Sequence, residues 1–334
     1  MIQVSTPAKI ILSGEHSAVY GAPVIGVPLA LSMQTQWQES GRGITLDAQG
    51  CSYVLSDTWG ALLERLADYR ARYVVFQRGE TAVTNVLPRP EDLVMLTLAA
   101  FCERYGTDFP ALSLSVRTDI PVAAGLGSSS ALIINLLEGM QQWSGHVIPQ
   151  DELIDFAREI ENFQHGVSSG VDLAIVSTRK PIVFVRGQGV VGNVPPPRGL
   201  TLVHTGTPSV STGVCVSAVR EKYGADQTLW NNFSLCTERM RSAFANDNAL
   251  TLKECIIENQ RLLEHIGIVP EKVRSFVAAC RDKGIAAKIC GAGAVKGNAA
   301  GIVWALPEND SAGKDLQGIA AQYGYEHGCY ATYG

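Results

Sequence analysis

The chain of 334 residues contains no GxxxxGK[ST] stretch, no CxxC pair and no histidines at zinc-ligand spacing. The first absence excludes a common P-loop, and the others exclude zinc fingers, zinc ribbons and thioredoxin-type redox motifs. No lysine–arginine run stands out and the net charge is −5, which argues against nucleic acid or an anionic membrane surface as a partner. No apolar run approaches the roughly 20 residues that cross a bilayer. The first residues, MIQVSTPAKIILSGEH, put Lys9 and Glu15 where a signal peptide needs an unbroken apolar core. Eight scattered cysteines read as reduced thiols, so the expected location is cytoplasmic. No repeat or low-complexity tract is present. With 46% apolar and 18% charged residues, the composition is that of a globular chain long enough for two domains.

What is present begins with apolar runs broken by glycine and proline. IQVST, KIILSG and VIGVPL read as strands joined by short turns, and residues 37–90 as a mixed region with a helix at TWGALLERLADYRARY. EDLVMLTLAAFCERYG reads as a helix and ALSLSVRT as an alternating strand. In DELIDFAREIENFQ the apolar positions 153, 154, 156, 157, 160 and 163 form a helical stripe. The three prolines of NVPPPRG mark a boundary near 197, giving domains 1–197 and 198–334. Four helices and the strands AAKICGAG, AGIVWALP and CYATYG follow it, so the fold class is α+β or mixed α/β.

Four segments carry chemistry-bearing residues. PVAAGLGSSSALIINLLEGM, residues 121–140, places a glycine–serine loop directly ahead of an apolar helix. Glycines let the backbone approach a ligand, and a helix start aims free N–H groups at an anion; a plain turn with a serine N-cap reads equally well. PAKIILSGEHSAVYGAP sets Lys9, Glu15 and His16 around an apolar strand and a glycine turn; alone these read as a strand-end charge and a turn histidine. In ENFQHGVSSGVD, Glu161 and Asp172 are brought back towards each other by Gly166 and Gly170, a pattern that suits one metal ligand and one base. The competing reading is a solvated Glu161 and a helix-capping Asp172. KICGAGAVKGNAAGIV, with glycines at 291, 293, 297 and 301, serves close packing or a ligand, or else a flexible hairpin.

Taken in order, these segments resemble the GHMP kinase superfamily over nearly the whole length. PVAAGLGSSSA resembles its phosphate loop. GEHSAVYGAP, HGVSSGVD and NQRLLEHIGI (259–268) resemble the branch that phosphorylates mevalonate. The resemblance implies an α+β fold, with an N-terminal domain like ribosomal protein S5 domain 2 and a ferredoxin-like C-terminal domain. It implies ATP and Mg2+ as cofactors and ATP-dependent phosphorylation of the mevalonate 5-hydroxyl. Residue by residue it implies Asp172 as base and Lys9 beside the hydroxyl and the γ-phosphoryl group. Gly125, Leu126, Gly127, Ser128, Ser129 and Ser130 would surround the phosphates, Ser129 and Glu161 would hold magnesium, and Glu15, His16 and Thr212 would face the substrate. The charge and the apolar runs lead to no nucleic-acid or membrane partner being expected, and the resemblance leaves a homodimer open. Three departures from the family pattern are Ala8 for glycine, Ser168 for proline, and GAGAVKGNAAG, with Lys296, for the third glycine motif. Two alternatives stay open: a GHMP kinase for another small alcohol, such as phosphomevalonate or homoserine, and a catalytically silent binding relative. The silent relative is expected to lose Lys9, Glu161 or Asp172, and all three are present.

Overall fold

A computed structural model describes residues 1–41, 43–121, 124–197 and 200–333. Residues 122–123 of the glycine–serine segment and 198–199 beside the triple proline lie outside the described residues. Along the chain come β1 (Ile2–Ser13), β2 (Val24–Glu39), β3 (Ile44–Ala48), β4 (Cys51–Ser56), α1 (Trp59–Gln77), α2 (Asp92–Tyr105) and β5 (Leu112–Thr118). Next are α3 (Ser128–Ser144), α4 (Gln150–His165), α5 (Val171–Thr178), β6 (Ile182–Val185), β7 (Gly189–Asn193) and β8 (Leu200–His204). The chain ends with α6 (Thr212–Tyr223), α7 (Gln227–Ala245), α8 (Ala249–His265), α9 (Glu271–Asp282), β9 (Ala286–Cys290), β10 (Ile302–Leu306), α10 (Asp310–Tyr323) and β11 (Glu326–Tyr330).

Two compact units interleave along the sequence. The first is Met1–Ala8, Leu31–Ile120 and Ser128–Ser177; the second is Lys9–Ala30, Pro121–Gly127 and Thr178–Gly334. IQVST and KIILSG, expected as two strands, form the single strand β1. Its strand partner is β2, and a strand paired on one side accommodates Pro7, which has no N–H to give. β2 likewise runs past Pro28 to Glu39. From Met33 to Trp37 its odd residues are buried and the glutamines between them exposed, the period-two pattern of a half-buried strand.

In the first unit that half of β2 pairs antiparallel with β5, and β5 pairs parallel with β3, whose other neighbour is β4. α1 packs on α2, α2 on α3, and α3 on α4. α3 is buried through Ala131, Ile133, Ile134, Leu136, Leu137 and Met140. Each large side chain there contributes roughly 1.5–3 kcal/mol on burial. The helix is also pinned by a polar contact. Asn135 donates from Nδ2 to the carbonyls of Val4 at 3.2 Å and Met33 at 2.9 Å, and accepts from Thr35 Oγ1 at 2.5 Å. Thr35 in turn accepts from Trp37 Nε1 at 2.7 Å. A buried amide satisfied on this many sides fixes the helix in register as well as in depth.

In the second unit the antiparallel sheet β11-β8-β10-β9 carries the core. α8 and α9 pack on β9, α7 packs on α8, and α10 on α9. All five residues of β9 are buried. Among the described residues no helix is long and apolar enough to cross a membrane.

Gly139 shows how tightly α3 meets β2. A Cβ there would lie 2.1 Å from Trp37 Cζ2, far inside contact distance. Gly139→Ala gains about 1 kcal/mol of helix propensity, but overpacking against a fully buried tryptophan costs typically 1–3 kcal/mol or more. The expected outcome is a net loss of stability, read as a lower urea midpoint; a higher midpoint would mean that Trp37 repacks freely.

Candidate functional site

In the first unit three helix ends carry one group of candidate residues. α4 is amphipathic, with Leu153, Phe156, Ala157 and Ile160 buried, and Glu161 continues the same stripe into the interior. A carboxylate carried inward needs donors, and it finds two hydroxyls. Ser130, in the first turn of α3, donates to Glu161 Oε1, and Ser168, in the turn after α4, donates to Oε2. Burial pushes the Glu161 carboxyl above its ordinary range; His165 pulls it down and the nearby Asp172 pushes it further up. Asp172 itself is the second residue of α5, half-buried and inside the helix rather than at its cap.

The turn between α4 and α5 is held on several sides. Gly166 N–H donates to the Asn162 carbonyl and Ser168 N–H to Asn162 Oδ1, each at 2.7 Å. Ser168 Oγ accepts from Gly170 N–H at 3.0 Å. From α1, Tyr73 donates its hydroxyl to the Gly166 carbonyl at 2.6 Å and stacks on Phe163 with ring centroids 4.7 Å apart. The serine standing where the family pattern has proline therefore adds three hydrogen bonds that proline lacks. Of the two neighbouring serines 129 and 130, Ser130 is the one whose hydroxyl is set on Glu161; Ser129 Oγ lies 3.3 Å from His165 Nε2 instead. One carboxylate with hydroxyls beside it is a hard-oxygen donor set, and it fits a magnesium ion that takes its remaining ligands from phosphate and water. Among the described residues no three His, Cys, Asp or Glu side chains converge as a metal site of their own.

In the second unit a separate group of candidate residues lies around the glycine-rich connection 291–301. Lys9 is buried, its N–H donating to the Leu126 carbonyl at 3.0 Å. Its aliphatic stem fills the space beside Gly127, where a Cβ would meet Lys9 Cγ at 2.7 Å and where φ is +75°. Any side chain at 127 would displace the lysine and strain the backbone. Gly125 lies 3.9 Å, measured from a Cβ built on it, from the Cys290 carbonyl. His16 Nε2 lies 2.9 Å from the Ala292 carbonyl. A carbonyl only accepts, so Nε2 carries the proton and Nδ1 is the bare acceptor. Burial lowers the His16 pKa, partly opposed by that hydrogen bond, and keeps the ring neutral. Thr212 is exposed at the start of α6, one turn before Cys215, whose Sγ lies 3.7 Å from the Gly293 carbonyl. His16 and α6 thus flank the same two residues, Ala292 and Gly293.

Glu15, read from sequence as a substrate contact, is buried and its Oε1 is taken by the ammonium of Lys288 in β9. Lys288 was not singled out by sequence, although a lysine inside the apolar run AAKIC was a visible signal. Lys296 is exposed, and its carbonyl accepts from Ser209 Oγ at 3.1 Å. The connection is no loose hairpin: Thr205 donates from both N–H (2.9 Å) and Oγ1 (2.8 Å) to the Gly301 carbonyl, and Ala294 N–H donates to that of Ile268 at 2.8 Å.

Residues 92–180 match the GHMP kinases N terminal domain. The chain is similar to the mevalonate kinase of Pyrococcus horikoshii, with 28% identity over 314 residues covering 87% of this chain and 86% of that one. In structure it is similar to the mevalonate kinase of Methanococcus jannaschii, with a TM-score of 0.80 at 16% identity over 100% of this chain and 98% of the other. It is also similar to the phosphomevalonate kinase of Streptococcus pneumoniae solved with phosphomevalonate and AMPPNP, with a TM-score of 0.74 at 16% identity over 99% and 100% of the two chains. The fold is the GHMP kinase fold, and its α+β character agrees with the sequence expectation.

The burial of Glu161 has a consequence for stability. Its folded pKa is raised above the ordinary value of 4.5, so the native state holds a proton that the unfolded state loses. Stability therefore falls as pH rises from about 4.5 through the raised folded value. Glu161→Gln removes this slope while keeping the shape. Urea midpoints measured from pH 4.5 to 7 are expected to show the variant gaining on the parent as pH rises; parallel curves would mean that the carboxylate is not desolvated.

Proposed function

We propose that this chain, a GHMP kinase, transfers the γ-phosphoryl group of ATP to the 5-hydroxyl of mevalonate, giving 5-phosphomevalonate and ADP. The observation that carries this reading is the sequence likeness to a mevalonate kinase across 87% of the chain, with Lys9, Glu161 and Asp172 all retained. Fold alone does not choose the substrate, since a phosphomevalonate kinase shares it. That likeness makes phosphomevalonate the second reading.

Phosphoryl transfer asks for positioning and charge neutralisation. In our reading Asp172 accepts the proton of the attacking hydroxyl as the oxygen–phosphorus bond forms and the bond to the β-phosphate oxygen breaks. Lys9 offsets the negative charge that gathers on the transferring group. The backbone of Gly125, Leu126 and Gly127 and the start of α3 at Ser128, Ser129 and Ser130 receive the phosphates. Glu161, with Ser129 or Ser130, would hold magnesium, which when bound would neutralise phosphate charge. His16 and Thr212 serve the acceptor side, and Glu15 acts there through its loop. We further propose cytoplasmic residence, the domain division 1–197 and 198–334, and a homodimer as the assembly to test first.

ADP release with magnesium ATP should favour mevalonate over phosphomevalonate, homoserine and galactose by at least tenfold in kcat/KM, a discrimination of about 1.4 kcal/mol. A preference for phosphomevalonate or homoserine would overturn the substrate and leave the superfamily standing. Asp172→Asn keeps the shape and removes the proton acceptor. Its kcat should fall by at least about 10²-fold, with ATP affinity and Tm unchanged. Activity within tenfold of the parent would remove Asp172 from the base role.

A further inference from the structure

We propose that Glu15 and Lys288 form a positioning pair that fixes His16 for the acceptor, and that neither side chain touches the substrate. The inference rests on the functional reading above in one respect, that His16 faces the acceptor.

Both side chains are buried, with 1% of Glu15 and none of Lys288 exposed. Lys288 sits in the middle of β9, paired across to Trp304 of β10, with no route for its ammonium to water. Burial alone would lower the Lys288 pKa; the Glu15 carboxylate that takes its hydrogen bond outweighs burial, and the value lies above the ordinary one. Glu15 Oε2 is buried and has no hydrogen-bond partner among the described residues. A pair taken out of water in this way contributes little net stability, yet removing one partner strands the other charge. Its worth is therefore geometric.

The geometry it sets is that of the turn after β1. His16 has φ +54°, a left-handed conformation that a non-glycine residue adopts only when its surroundings impose it. The turn is closed by Ala18 N–H donating to the Gly14 carbonyl at 3.1 Å. It is then tied at two successive residues to one short stretch of chain. Glu15 is held by Lys288 at the centre of β9, and His16 by the carbonyl of Ala292 just beyond its end. With Lys288 gone, the histidine hydrogen bond and the turn's own backbone hydrogen bonds are left to oppose relaxation of the strained residue. The tautomer that leaves Nδ1 free as an acceptor depends on that bond.

The test compares Glu15→Gln, Lys288→Met and the double variant by steady-state kinetics, Tm and the NMR resonances of the His16 ring. Each single variant should raise the acceptor KM or lower kcat about tenfold or more, as expected of a misplaced positioning group, with the ATP KM within twofold. The double variant should do no more kinetic damage than the worse single one, because the two residues act as one unit. It should also regain Tm, because no buried charge is left unpaired. The His16 resonances should shift in all three. Kinetic loss in Glu15→Gln with parent kinetics in Lys288→Met would overturn the proposal by making Glu15 a direct contact. Parent kinetics in the double variant would reduce the pair to a structural role. If the single variants do not fold, the double variant decides between these outcomes by itself. Failure of the mevalonate reading would already show in the parent enzyme, and the His16 resonances test the pair independently of turnover.

Discussion

A buried carboxylate organises the candidate site of the first unit. Glu161 lies on the inward stripe of α4, so the packing that stabilises the helix also removes its side chain from water. Two serine hydroxyls, from the start of α3 and from the turn before α5, then become necessary rather than incidental. Three helix ends are thereby drawn to one point. The Asn135 contacts set where α3 stands against β1 and β2 and so fix where Ser130 can be. The aromatic contacts of Tyr73 do the same for the turn that carries Ser168.

The second unit solves a different problem, that of bringing backbone close to backbone. Lys9 lies along Gly127 because residue 127 has no side chain, and the connection 291–301 is stitched to the strand end at Thr205 and to Ile268. Two of the charges enclosed here, Glu15 and Lys288, are matched to each other. These residues are thus held in place by contacts made within the unit itself.

Fold and function separate cleanly in this protein. The fold is shared at high structural similarity with enzymes whose names carry different substrates, and its general shape cannot distinguish mevalonate from its phosphate ester. Residue identity can, because a phosphorylated acceptor brings added negative charge that needs cationic partners. Lys296 stands exposed on the unusual third motif, and Lys288 is already committed to Glu15.

Much of the architecture was legible from the chain itself. The stripe from Leu153 to Ile160 announced α4, the glycine–serine run announced the start of α3, and the four segments in order announced the fold. These features arise from torsional preference and from periodicity, which neighbouring residues determine among themselves. The second half of β2 was not read as strand, because its buried Thr35 and its glutamines disguised the alternation as polar sequence. Other relations left no local trace. Ser130, rather than Ser129, reaches Glu161; Ser168 makes use of losing the family's proline; and Glu15 turns inward to a lysine 273 residues away. Sequence chose which groups could bond. Which of them did was decided by packing, because a buried charge takes whatever partner the assembled core brings within reach, and no spacing along the chain encodes that distance.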